Sequence, residues 1–261
     1  MMNGWLVFTD LDGTLLDHHS YDYTPALPAL RSLKEQGIPV IPVSSKTYAE
    51  LQIYMQWLQL DGPLVAENGA VIVYPGEAPQ IAPPGYLQIR DYLIDCRANP
   101  NFDFIGFGDM STEDIMQETG LDEDSVKLAI QRLASEPLIW QGDEAGLRHF
   151  RQKIAHKRLR LLQGGRFLHL LSDTDKGCAI KHIVTHLNKK MLVRRTIALG
   201  DSDNDRDMLL AADIPIIVRR HDGSHLQLPE RPDAHVTEQP GPTGWNQAIL
   251  DLLNLDSAVN R

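Results

Sequence analysis

Four short polar clusters each follow an apolar run in this chain of 261 residues: Asp10-Leu11-Asp12, Ser44-Ser45-Lys46, Glu67-Asn68-Gly69 and Gly200-Asp201-Ser202-Asp203-Asn204-Asp205. If the clusters meet, Asp10, Asp12 and Asp201 within ~5 Å of one another repel by roughly 3 kcal/mol per pair in a partly screened interior. Such a set calls for a cation. Hard oxygen donors with a phosphate-bearing substrate favour Mg2+, which keeps several waters and takes only a few carboxylates from the protein. Beside that ion one aspartate stays ionised and can attack phosphorus, while the second protonates the leaving oxygen and then activates water. Ser44 adds a hydroxyl donor, and Lys176 a point positive charge, for phosphate oxygens that the metal does not hold. The residue types describe a phosphoryl-transfer site.

These side chains need a scaffold that ends several strands at one edge. Trp5-Leu6-Val7-Phe8 reads as a buried parallel strand, and ligands on open α/β sheets bind beyond the carboxyl ends of such strands. Leu27, Leu30 and Leu33 recur at helical spacing between Thr24-Pro25 and Gly37. Ile38 to Val43 reads as a strand despite Pro39 and Pro42. Leu51, Tyr54, Met55 and Leu58 give a second helix, and two further strands flank an Asn68-Gly69 hairpin turn. The Pro-rich stretch 75–85 breaks this rhythm. Beyond it, helices are expected over 112–119, 122–134 and 143–157, with strands over 138–140, 159–162 and 167–171. Alternation resumes at Asp175-Lys176-Gly177 with a helix through Leu187, a strand over 196–199, a helix over 206–212 and a strand over 214–218. A closing helix carries Trp245, Ile249, Leu252 and Leu253. The pattern predicts an α/β protein: a doubly wound, Rossmann-like parallel-sheet core over 1–83 and 173–261, with an inserted α+β domain over 84–172.

Acidic residues outnumber basic ones by 35 to 25, for a net charge of -10, and basic residues form no block longer than a pair. That balance disfavours a nucleic-acid partner, since phosphate-backbone binding needs a basic face. Cys96 and Cys178 have no CxxC spacing, which argues against a disulfide framework or a cysteine zinc site. No apolar run approaches the ~20 residues of a membrane span, and the start of the chain has no signal-type stretch. A cytoplasmic protein acting on a small molecule is expected, with its oligomeric state left open. His18 and His19 lack a companion ligand at metal spacing and read as loop residues.

Taken in order, DxDGT at Asp10 to Thr14, Ser44, Lys176 and GDxxND at Gly200 to Asp205 resemble the motifs of the haloacid dehalogenase superfamily of phosphatases. The resemblance implies that Asp10 is the nucleophile and forms an aspartyl-phosphate, and that Asp12 is the general acid and base. It implies that Asp201 joins both on Mg2+, with Ser202, Asn204 and Asp205 in support, and that the insert is an α/β cap. More narrowly, Asp10 to Asp22, Ser44-Ser45-Lys46-Thr47, Glu67-Asn68-Gly69-Ala70 and Gly164 to Leu171 are similar to the mannosyl-3-phosphoglycerate phosphatase family. A substrate of that class, mannosyl- or glucosyl-3-phosphoglycerate, carries a carboxylate besides its phosphate, and Arg166 offers a guanidinium for a bidentate grip. Lys46, Asn68 and His169 complete the candidate substrate residues. A broader sugar-phosphate phosphatase or a phosphomutase of the same superfamily also fits these motifs. A phosphoryl-accepting signalling module shares Asp, Mg2+, Ser or Thr and Lys, but such receivers are far shorter and lack an acid two residues beyond the phosphorylated aspartate.

Overall fold

The computed structural model describes residues 4–164, 167–189 and 192–259, with side chains through residue 255. In chain order the elements are β1 (Trp5–Thr9), α1 (Leu27–Glu35), β2 (Val40–Pro42), α2 (Tyr48–Trp57), β3 (Leu64–Ala66), β4 (Val71–Val73) and β5 (Gln80–Ile81). There follow α3 (Tyr86–Cys96), β6 (Phe104–Gly106), α4 (Thr112–Thr119), α5 (Glu123–Ala129), β7 (Ser135–Trp140), α6 (Glu144–Ala155), β8 (Leu159–Gly164) and β9 (Phe167–Ser172). The chain ends with α7 (Lys176–Leu187), β10 (Arg195–Gly200), α8 (Arg206–Ala211), β11 (Ile214–Arg219), β12 (His235–Pro240) and α9 (Gly241–Val259). It divides into two compact units.

The first unit comprises Met1–Ser44, Gln59–Leu64 and Lys176–Arg261. Its sheet has the order β12-β11-β10-β1-β2, with parallel pairs throughout. Leu6, Val7 and Phe8 have no exposed surface, as a central strand buried on both faces requires. Helix α1 packs with α9 and α7 with α8, giving the two helical layers of a doubly wound α/β fold. The prolines that argued against β2 have a simple place. β2 is the last strand in its sheet, Pro39 only accepts a bond from Val7 N (3.0 Å), and Pro42 is the final strand residue. Strand β12 has no apolar alternation and lay outside the expected pattern.

The second unit comprises Ser45–Leu58 and Val65–Asp175. Its antiparallel sheet runs β6-β7-β9-β8, and α3 and α6 bury Ile89, Leu93, Phe150 and Ile154 against Leu138, Leu168 and Leu170. Segments 45–58 and 65–83, expected with the parallel core, group here because hydrogen bonds hold them to the α5–β7 connection. Thr47 Oγ1 donates to Leu128 O (2.9 Å), Arg132 Nη1 to Ser45 O (2.9 Å), and Leu133 N to Glu67 Oε1 (2.7 Å). The same bonds explain why the helix expected over 122–134 stops at Ala129. Among the described residues no helix is long and apolar enough to cross a membrane.

Candidate active site

The parallel sheet of the first unit sets out the polar groups at the carboxyl ends of its strands. Thr9 is paired with both Leu199 and Pro42, so Asp10 and Asp201 leave the sheet side by side, and Ser44 leaves the neighbouring strand end. Asp10 N donates to Leu199 O (2.9 Å) and Val43 N to Thr9 O (2.8 Å), which continues the ladder into the turns that carry the polar clusters. Trp245 Nε1 donates to Thr9 Oγ1 (3.0 Å), fixing the end of β1 from α9.

The acids that come together are Asp10, Asp201 and Asp205, with oxygens within 4.8 Å of one another. Asp205, expected in support, joins Asp10 and Asp201 in this cluster of carboxylate oxygens. Asp12 is half-buried and sits in a tight turn closed by Leu16 N to Leu11 O (2.8 Å) and Gly13 N to Leu16 O (2.9 Å). The reason Asp205 turns inward is local. It ends a 3-10 turn over Asp203–Asp205, and its Oδ2 accepts from Asp201 N and Ser202 N, each at 3.0 Å. Gly200 makes room for it, since a Cβ there would lie 2.5 Å from Asp205 Cβ. Ser202 Oγ donates to Asn204 Oδ1 (2.7 Å) and holds the rest of the turn.

Lys176, the first residue of α7, is fully buried, and its Nζ donates to Asp10 Oδ1 and Asp205 Oδ1 at 2.6 Å each. Gly177 lets α7 approach so closely, because a Cβ there would fall 2.3 Å from Asp207 O. Burial lowers the ammonium's affinity for its proton, but Asp10 and Asp205 outweigh it and raise its pKa above the ordinary lysine range. Burial, followed by repulsion from Asp205, raises the Asp10 carboxyl well above its usual range. The same two causes push Asp201 up to about 7. One buried lysine thus leaves these carboxylates short of positive charge. An all-oxygen donor set with that deficit fits a hard divalent cation.

Ser44 is buried at the end of β2, as the sequence pattern requires. Of the candidate substrate residues, Lys46, Asn68 and His169 belong to the second unit, and Arg166 lies outside the described residues. Lys46 Nζ stands 5.5 Å from the Tyr54 ring centre. His169 is largely buried on β9, opposite Pro137 and Leu162. Asn68 has no exposed surface and takes a left-handed conformation at φ 56°. That conformation is the one a tight turn requires of its Asn.

Two polar groups were given no individual role by the sequence reading. Arg220, directly after β11, donates from Nη2 to Asp201 O (2.8 Å) and brings Nε to 3.6 Å from Asp201 Oδ2. Its signal was present, because a polar residue after a parallel strand belongs at the same edge as the four clusters. The other is Glu67, whose buried carboxylate accepts from Leu133 N, Ala134 N and Ser135 Oγ at 2.7–3.0 Å.

The family model for haloacid dehalogenase-like hydrolases matches residues 7–93 and 138–223. This chain belongs to that family. Haloacid dehalogenase-like relatives include a Methanococcoides burtonii protein named glucosyl-3-phosphoglycerate/mannosyl-3-phosphoglycerate phosphatase, 37% identical over 97% of this chain and 99% of its own. A Persephonella marina protein of the same name is 34% identical over 95% and 97% of the two chains. Among solved structures, SMU.1108c of Streptococcus mutans shares the fold with a TM-score of 0.71 at 20% identity, covering 95% of this chain and 98% of its own. The parallel core was expected from the strand pattern and the motifs, and the mixed helices and strands of the second unit agree with the α+β insert that the sequence pattern predicted.

Proposed function

We propose that this hydrolase is a cytoplasmic, Mg2+-dependent phosphomonoesterase that converts mannosyl- or glucosyl-3-phosphoglycerate to the glycosylglycerate and phosphate. The reading is carried by the meeting of Asp10, Asp201 and Lys176 at the ends of β1 and β10 and the start of α7, together with the names of the two full-length relatives. In sequence order the cap is the insert 84–172 between core segments 1–83 and 173–261, with 45–58 and 65–83 grouping in the same compact unit as that insert.

In this mechanism Lys176 holds Asp10 Oδ1, and Oδ2 attacks phosphorus as the ester P–O bond breaks. Asp12 gives its proton to the departing oxygen. The Asp12 carboxylate then takes a proton from water, whose oxygen bonds to phosphorus and releases Asp10. A divalent cation at Asp10 and Asp201 would screen the phosphate charge during both displacements. Ser44 donates to a phosphate oxygen, and Lys46, Arg166 and His169 bind the glycosylglycerate portion.

The test is phosphate release from glycosyl-3-phosphoglycerates and a panel of sugar phosphates, by wild type and Asp10→Asn. Turnover is expected to favour the phosphoglycerates and to fall by at least about a thousandfold in the variant, with its circular dichroism unchanged. Retained activity in Asp10→Asn would remove the nucleophile assignment, and a flat profile across the panel would remove the substrate assignment.

A further inference from the structure

Lys176 was expected to meet the substrate phosphate, yet its side chain is completely buried and already engages two carboxylates. Among the described residues, a positive group beside the cluster that does reach solvent is Arg220, with 37% of its side chain exposed. It stands on a fixed base. Arg220 N donates to Ser224 O (2.9 Å) and Gly223 N to Arg220 O (3.0 Å), closing a turn in which Gly223 takes φ +83°. Arg219 Nη1 braces that turn at Gly223 O (2.8 Å), and His221 Nε2 lies 2.6 Å from Asp17 Oδ2.

We infer that Arg220 is a substrate-binding residue whose guanidinium takes an oxygen of the substrate phosphate, an inference that rests on the phosphatase reading above. A guanidinium carries five N–H donors, and Asp201 O occupies one of them on Nη2. Nε faces Asp201 Oδ2 at 3.6 Å, and the side chain as a whole keeps over a third of its surface exposed, in the fork geometry that suits oxyanions. Charge balance points the same way. Among the groups in mutual contact, Asp10, Asp201 and Asp205 against Lys176 and Arg220 leave one net negative charge. A divalent cation turns this into one net positive charge, which complements a phosphate dianion. Without Arg220 the loaded site is neutral.

The experiment is calorimetric titration of inorganic phosphate into wild type, Arg220→Ala and Arg220→Lys at saturating Mg2+, with Mg2+ itself titrated into each protein in phosphate-free buffer. Arg220→Ala is expected to weaken phosphate binding by about tenfold or more and to keep Mg2+ affinity within about threefold of wild type. Arg220→Lys is expected to recover part of the phosphate affinity. Unchanged phosphate binding in Arg220→Ala overturns the inference. So does a matching loss of Mg2+ affinity, which would make Arg220 a positioning residue for Asp201. Wild-type turnover is measured on the same preparations. A wild type that binds phosphate but hydrolyses no phosphomonoester overturns the phosphatase reading and leaves the Arg220 comparison intact.

Discussion

Lys176 Nζ lies 2.6 Å from Asp205 Oδ1, and both side chains are completely buried. Through this pair the first residue of α7 fixes the turn that carries Asp201, since the other oxygen of Asp205 binds the amides of Asp201 and Ser202. A single ammonium thereby holds both Asp10 and the loop that completes the acid cluster.

Lys176→Met should therefore cost stability as well as turnover. Removing one partner leaves Asp10 and Asp205 buried without their counter-charge, a change worth about 3 kcal/mol or more. Denaturant unfolding of the metal-free variant at neutral pH measures it, and a loss below about 1 kcal/mol would show that the carboxylates are compensated elsewhere.

The raised carboxyls make a pH prediction with a definite sign. Asp10 and Asp201 hold protons above the ordinary carboxylate range, Asp201 at about 7, chiefly through burial and then the charge of Asp205. Between the unfolded value of about 4 and that folded value, the native state binds more protons than the unfolded chain. This contribution is fully present below the unfolded pKa and is lost as pH rises toward about 7. In metal-free protein, Asp201→Asn should flatten the decline in thermal stability across that window. Parallel slopes for wild type and variant would contradict the assignment.

Much of this site was legible because strand ends and charge do not coincide by accident in a buried parallel sheet. Asp10, Ser44 and Asp201 followed from that rule. Arg220 obeys the same rule but entered the sequence reading only through the count of basic pairs. Asp205 was harder, since spacing alone does not say which acid between 201 and 205 turns inward, and the 3-10 turn decides it. Helix α3 carries apolar residues at Ile89, Leu93 and Cys96, a usable spacing hidden among polar neighbours. The early end of α5 depends on Glu67, a residue far away in sequence, and no local pattern reveals it.

Glu67→Gln tests that last relationship. The buried carboxylate serves two amides and a hydroxyl, and an amide side chain would turn an N–H toward one of those donors. A loss of about 1–3 kcal/mol in unfolding free energy is expected. Ser135→Ala should cost less, because it removes only one of the three donors, and a larger loss in Ser135→Ala than in Glu67→Gln would reverse the argument.

The bond from Trp245 to Thr9 joins residues 236 positions apart, and β1 pairs on one side with β10. The strand that leads into Asp10 therefore finds one neighbour, β2, close by in sequence, but its other neighbour only once β10 has been made. The lock on that strand arrives only with the last helix. Catalytic competence in this enzyme is a property of the finished polypeptide, and a protein truncated before α9 should emerge with every motif present and its first strand unsecured.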